Sequence, residues 1–215
     1  MTTPFDVTVS HITPLPTTVN GLKFFPSLEP LVSNDQDHPA FGWPSGPEVS
    51  DCNLAVVEEA MLLNGNLSRA VLEIGVHRND GRSMTNLLMD RKLDSCVYLG
   101  VDIDDKSHLD DIEKSIYTVR CSSHDQRKVR EKLRALGVAS LDIIMIDGWH
   151  SVNTCVNDWC YADLLSPGGI VLLHDTNAHP GSVALFHAID ERLYHKERRC
   201  VSDTDMGIAL VRKRS

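Results

Sequence analysis

The stretch IVLLHDTNAHP, residues 170–180, runs an apolar segment straight into His174, Asp175, Thr176 and Asn177, with His179 two residues further on. LDIIMIDGWHS, residues 141–151, ends in a similar way, with Asp147 and then His150. Carboxylates and imidazoles gathered like this offer two chemistries. They ligate divalent cations, and imidazole, titrating near ~6.5 when unperturbed, moves protons at neutral pH. Two carboxylates at one site repel each other unless a cation or a proton lies between them. Asp147 and Asp175 are therefore the first pair to consider for a metal. His150, three residues after Asp147, is the first candidate for a general base, at the mouth of a crevice; His174 and His179 compete for that role. Trp149 reads either as the wall of an acceptor pocket or as a core residue. His187 sits in a helical pattern and reads as a packing or surface residue, while His11, His38, His108 and His195 carry no signal beyond composition.

The elements that must position these groups follow from the hydrophobic pattern. From residue 51 onward, helical and strand patterns alternate. NLAVVEEAMLLNG (53–65) predicts a helix ending near Gly65, RAVLEIGV (69–76) a strand, and SMTNLLMDRKL (83–93) a helix. CVYLGVDI (96–103) predicts a strand, KSHLDDIEKSI (106–116) a helix, YTVRC (117–121) a strand and DQRKVREKLRALG (125–137) a charged amphipathic helix. LDIIMID is a fully apolar strand; VNTCVNDWCYADLL (152–165) is a helix closed by the turn SPGG, and IVLLHD (170–175) is another buried strand. SVALFHAIDERLY (182–194) predicts a last helix, and RRCVSD (198–203) with GIALVRK (207–213) a closing antiparallel pair.

Alternating apolar strands and helices imply an α/β fold with a mostly parallel sheet covered on both faces. Ligands of such sheets bind outside the carboxyl ends of the strands. Here those ends carry Glu73 and Gly75, Asp102, Ser122, Asp147 and Asp175. Singly, each could be a turn or helix-cap residue; jointly they define one polar crevice.

Residues 1–50 are different. They hold most of the prolines and little periodicity, yet Phe24, Phe25, Leu28, Phe41 and Trp43 are too apolar for a simple disordered tail. The segment reads as an irregular N-terminal arm or lid on the main domain, residues 51–215, or equally as a packing extension without a role in binding. The chain has 215 residues, 42% hydrophobic and 24% charged, as expected of a globular protein. A net charge of −9 gives no electrostatic reason to expect nucleic acid or an anionic membrane as partner. No stretch approaches the roughly 20 apolar residues of a membrane span, and the N-terminus has no signal-peptide pattern. The six cysteines lack paired CxxC spacing, and several lie in apolar segments where free thiols pack well, which favours a reducing, cytoplasmic setting. Nothing in the pattern fixes oligomeric state, and a homo-oligomer stays open.

The succession VLEIGVHRNDGRS, YLGVDID, VRCSSHD, LDIIMIDGWHS and LLSPGGIVLLHD resembles the ordered motifs of class I S-adenosylmethionine-dependent methyltransferases. The likeness spans roughly residues 52–213. It implies a Rossmann-like, doubly wound sheet of seven strands with an antiparallel last strand, and S-adenosylmethionine as cofactor. Within that superfamily, IDGWHS, LSPGG and HDTN are similar to metal-assisted small-molecule and sugar O-methyltransferases: the cephalosporin hydroxylase-like, macrolide-sugar and catechol types. The resemblance implies that Glu73 supports the first loop and the methionine amino group, that Gly75 and Gly81 let backbone approach the methionine portion, that Asp102 accepts the ribose hydroxyls, and that Ser122 and Ser123 lie near adenine. His77–Asp80 stand where the family usually has more glycine. It further implies Mg²⁺ or another divalent metal on Asp147 and Asp175, with the third ligand either His174 or the Thr176–Asn177 pair; an imidazole ligand would favour softer metals such as Mn²⁺, Fe²⁺ or Zn²⁺. A small molecule or sugar would then be the methyl acceptor. Two alternatives stay open: a metal-free site in which the two aspartates bind substrate directly, and a protein of the same fold with hydroxylase-like chemistry or none.

Overall fold

The computed structural model describes residues 18–19, 21–23, 50–63, 70–76 and 96–215. The predicted helix over 83–93, Gly81 and the loop His77–Asp80, and the aromatic residues of the first fifty lie outside them. Strands β3 (Ala70–Ile74), β4 (Val97–Asp102), β5 (Ile116–Arg120), β6 (Leu141–Ile146), β7 (Leu165–His174), β8 (Tyr194–Arg199) and β9 (Ile208–Lys213) form one sheet in the order β5-β4-β3-β6-β7-β9-β8. The first five are mutually parallel where they pair, and β9 runs antiparallel to both β7 and β8. The chain winds outward from β3 to β5, then returns to β6 on the other side. The strand order therefore reverses between β3 and β6, the place where such sheets open a crevice.

The apolar runs are continuous because both faces are covered. Helices α2 (Gln126–Ala135), α3 (Val152–Asp158) and α4 (Pro180–Ala188) contribute Val129, Leu133, Cys155 and Leu185 to one core, with Leu72, Ile144, Val171 and Leu173 from the strands. Helix α1 (Asp51–Leu63) lays Val56, Val57 and Ala60 on the opposite face, against Val71, Ile143, Met145, Ile170 and Leu172. Alternation along β6 and β7 sorts these sets, as period two demands.

Several boundaries differ from the pattern. The segment 106–116 holds a 3₁₀ turn at Ser107–Leu109 rather than a helix. Its aspartates capture local amides: Asp105 accepts from Ser107, Asp111 from Lys114, and Asp110 from Thr118. These bonds compete with the helical ladder. SPGG belongs to β7, which pairs Leu165 with Leu141 before a register shift and resumes at Ile170 opposite Ile143. Helix α3 gives way at Trp159 to a 3₁₀ segment, Trp159–Leu164. Helix α4 starts earlier than predicted, with Pro180 in its first turn, and stops at Ala188. There a short hairpin, β1 (Thr18–Val19) with β2 (Leu22–Lys23), captures the chain: Leu22 bridges Ile189 and Gly21 O accepts from Asp190 N. Strand β8 lies earlier than RRCVSD and ends where Cys200 turns left-handed at φ 55°. The expectation of free thiols holds for four cysteines and fails at one pair. Cys52 and Cys200 form a disulfide, their Cα atoms 5.8 Å apart, while Cys96, Cys121, Cys155 and Cys160 are free. Spacing could not reveal a bond across 148 residues. Among the described residues no helix is long and apolar enough to cross a membrane.

Candidate active site

Backbone pairing at the strand ends builds the crevice. Gly75 N donates to Val101 O, and Asp147 N to Ile74 O. Gly75 has φ 83°, and a Cβ there would sit 2.1 Å from Asp147 O. The close approach this glycine permits is thus to the chain's own Asp147–Gly148 backbone. Gly181 does the same one loop on: its amide donates to His150 O, and a Cβ would lie 2.3 Å from that oxygen. This glycine lets the start of α4 press against His150–Ser151 and draws the β6 and β7 loops together.

Extending the Ile146–Leu173 register by one residue sets Asp147 opposite His174, on the face covered by α1. His174 Nδ1 lies 2.7 Å from Asp147 Oδ1 and 2.9 Å from Asp175 Oδ1. Asp175 is left-handed, φ 60°, a conformation rare for a residue with a side chain and frequent at functional sites. Its Oδ2 meets His150 Nε2 at 3.0 Å and His179 Nε2 at 3.5 Å. The two imidazoles lie 4.8 Å apart between centroids, and His150 Nε2 is 3.7 Å from Asp147 Oδ1. Five sequence candidates therefore converge: Asp147, His150, His174, Asp175 and His179.

The electrostatics are those of a compensated cluster. Burial alone would push the His174 pKa down, but the Asp147 and Asp175 carboxylates outweigh it and raise it to about 10. Burial likewise opposes His150, yet the bond and charge of Asp175 hold it well above the usual imidazole value. For Asp175 burial favours the neutral acid, and His174 and His150 overcome it, keeping the carboxyl well below its ordinary range. His150 is buried at 6% exposure rather than lying at the mouth. The shift favours the protonated ring, which works against a role as general base until that proton is lost. Trp149, in contrast, is 56% exposed beside the cluster.

The donor set fits a small divalent cation. Asp147, His174 and Asp175 each offer one ligand atom, all within 4.8 Å of one another. Asp175 Oδ1 is buried without a bond of hydrogen-bond geometry, despite its nearness to Nδ1. Carboxylates with one imidazole suit Mg²⁺ less well than Mn²⁺ or Fe²⁺. Asn177 does not join them. Its Nδ2 donates to Cys200 O, Ser202 O and Asp205 O, and its Oδ1 accepts from Arg198, so the side chain clasps the β8–β9 loop. Thr176 Oγ1 is buried without a hydrogen-bond partner.

The remaining strand ends line the same edge. Asp102 is half-buried; Oδ2 accepts from Val76 N and Oδ1 from Asp104 N, both at 2.8 Å. Each oxygen retains a lone pair for a hydroxyl. Glu73 is buried within the sheet and accepts from Tyr98 Oη. Ser122 Oγ accepts from His124 N, and Ser123 O from Tyr161 Oη. Two site neighbours escaped the sequence reading. Asp158, fully buried on α3 near Gly148, has its pKa raised to about 6 by burial, against the pull of the Ser123 hydroxyl, and no donor reaches hydrogen-bond geometry on either oxygen. Asn53, on the stripe of α1 that includes Val56, Val57 and Ala60, faces His174 Nε2 at 3.2 Å. A polar residue on an apolar stripe was the available signal.

Solved structures share this architecture. The fold is that of the class I S-adenosylmethionine-dependent methyltransferases. MycE methyltransferase from the mycinamycin biosynthetic pathway, in complex with Mg, S-adenosylhomocysteine and mycinamycin VI, matches at TM-score 0.55 and 17% identity over 75% of this chain and 50% of its own. An O-methyltransferase from Bacillus cereus in complex with S-adenosylhomocysteine matches at 0.52 and 14%, over 77% and 82%. A protein described as an rRNA methylase from Clostridium thermocellum matches at 0.54 and 13%, over 78% and 98%. The chain spans about half the length of the MycE chains it resembles. No protein-family model matches the sequence, and no curated protein does.

Proposed function

We propose that this protein is an S-adenosylmethionine-dependent O-methyltransferase that acts on a hydroxyl of a small molecule or sugar with the help of a divalent cation. The observation that carries the reading is the trio Asp147, His174 and Asp175 at the ends of β6 and β7, beside the Gly75, Asp102 and Ser122 edge, within a methyltransferase fold. The sulfonium donor is already activated, so the protein has to align the acceptor oxygen and take up its proton. The methyl carbon leaves sulfur for that oxygen, and sulfur keeps the bonding pair. A cation on the trio would supply charge stabilisation to the oxygen as its proton departs. Asp102 would hold the ribose and Ser122–Ser123 the adenine end. His150 would accept the proton after losing its own, and exposed Trp149 would border the acceptor.

The net charge of −9 supports a small acceptor over a nucleic acid. A cytoplasmic setting is kept for the four free thiols; the one disulfide would then respond to the redox state of its surroundings, as cytosolic disulfides usually do. The deciding experiment is calorimetric titration of metal-stripped protein with S-adenosylmethionine, with and without Mg²⁺ or Mn²⁺, followed by methyl-transfer assays on hydroxylated sugars and phenols. Absence of binding by S-adenosylmethionine and S-adenosylhomocysteine at millimolar concentration would overturn the reading. Full turnover in excess chelator would remove the metal from it.

A further inference from the structure

We infer that the Cys52–Cys200 disulfide is a redox-responsive clamp that holds Asn53 against His174, making Asn53 a positioning residue for the metal trio. The inference rests on the metal reading for its consequence, not for the clamp itself.

His174 presents Nδ1 to Asp147 and Asp175, and Asn53 meets Nε2 from the other side, both residues essentially inaccessible. An imidazole that ligates or donates through Nδ1 is fixed in rotation by what its second nitrogen meets. With Nε2 protonated, as cation binding at Nδ1 requires, the partner must be an acceptor. Asn53 Oδ1 is buried without a hydrogen bond, and turning the amide over brings that oxygen onto Nε2–H. One amide orientation thus satisfies both groups.

Asn53 belongs to the first turn of α1, away from the strands that carry the trio. Two contacts fix this turn and a third holds the helix two turns further on. Cys52, its chain neighbour, is bonded to Cys200 at the end of β8. Ser50 Oγ donates to Asp205 Oδ2 and accepts from Asn53 N. Arg199 Nη2 reaches Glu59 Oε1 at 3.3 Å. All three lead to the β8–β9 region, which Asn177, three residues after His174, also clasps through Cys200 O and Asp205 O. The disulfide therefore closes a loop from His174 through Asn177, Cys200, Cys52 and Asn53 back to His174. Reduction by a dithiol, which gives two electrons and two protons and leaves as its own disulfide, yields two thiols and opens this loop at its one covalent link. The two hydrogen-bonded and ion-paired contacts that remain are individually weak.

The test follows the His174 ring nitrogens by NMR, assigned with His174→Gln, alongside Mn²⁺ titration. Oxidised wild type should show one fixed tautomer with Nε2 protonated when loaded with diamagnetic Mg²⁺ or Zn²⁺, Mn²⁺ affinity being measured separately by calorimetry. Asn53→Leu, the double variant Cys52→Ser/Cys200→Ser, and wild type under dithiol should each lose that fixed signal and bind Mn²⁺ about 10–100-fold more weakly. Asn53→Gln should restore part of the affinity if its longer amide reaches the ring. Reduction of wild type needs no folded variant, so it decides the matter if the double variant fails to fold. Unchanged ring signals and Mn²⁺ affinity on reduction would overturn the clamp while leaving the metal reading standing. A fixed ring that loosens on reduction in a protein that binds no Mn²⁺ or Mg²⁺ would leave the clamp and overturn the metal reading.

Discussion

His174 and Asp147, at the ends of adjacent parallel strands, meet through Nδ1 and Oδ1 at 2.7 Å. The imidazolium that fills the space between Asp147 and Asp175 does electrostatically what a cation would do there. Metal and proton compete for the same oxygens.

Asp147→Asn and Asp175→Asn should each abolish metal-dependent turnover. Each amide removes a charge from the trio and leaves His174 without half of its compensation. Binding of S-adenosylmethionine should change less than about threefold, because the ribose and methionine contacts are assigned to β3 and β4. Parallel calorimetry with Mn²⁺ and with S-adenosylmethionine checks this. Loss of both affinities together would mean the aspartates hold the fold or the cofactor instead.

Asp102→Ala should weaken S-adenosylmethionine more than any trio variant. Hydrogen bonds to a charged group are worth roughly 1.5–3 kcal/mol each, and two ribose hydroxyls are at stake. The carboxylate also accepts from Val76 N and Asp104 N, so a moderate fall in melting temperature should accompany the loss. Asp102→Asn keeps the shape and should sit between the two. Equal affinity in all three proteins would move the ribose elsewhere.

The His174–Asp175 pair gives the metal-free protein a defined pH window of stability. Asp175 is held below its ordinary value by His174 and His150, despite burial. Its contribution is present above the ordinary carboxylate range and is lost as pH falls through the lowered value. His174 is raised to about 10 by the two carboxylates, despite burial. Its contribution is complete below about 6.5 and fades as pH rises to about 10. These two groups by themselves would hold melting temperature level between about 4 and 6.5 and lower it above. In His174→Gln the alkaline decline should flatten.

Asp158 adds a second decline toward high pH, in a lower window. Burial raises its pKa to about 6, so the folded state prefers the neutral acid. Its favourable protonation is complete below about 4 and vanishes as pH rises past about 6. Asp158→Asn should be neutral near pH 4 and stabilise by roughly 1–3 kcal/mol at pH 8. Denaturant melts at the two pH values measure the difference. A destabilised variant at pH 8 would show that the charged form has a partner essential to the fold.

Much of this protein was legible in its sequence because parallel sheets write themselves as apolar runs. LDIIMID and IVLLHD must be buried on both faces, and their polar ends must lie at one edge. Asp147, Asp175, His150 and His174 were found that way, and the closing antiparallel pair marked the far edge of the sheet. Local chemistry escaped where side chains compete with the backbone, as the aspartates of 105–111 do. Other features were decided only by tertiary structure. Packing buried His150, which by itself lowers its pKa, and set it against Asp175, whose bond and charge raise it, so it is a partner of Asp175 rather than a group at the mouth. Packing of α1 on the sheet brought Asn53 to His174, residues 121 positions apart. The Cys52–Cys200 bond spans 148 residues and has no spacing to announce it. A periodic pattern records which face of an element is buried. It does not record which element from the far end of the chain covers that face, and charge, protonation and covalent pairing at this site depend on that neighbour.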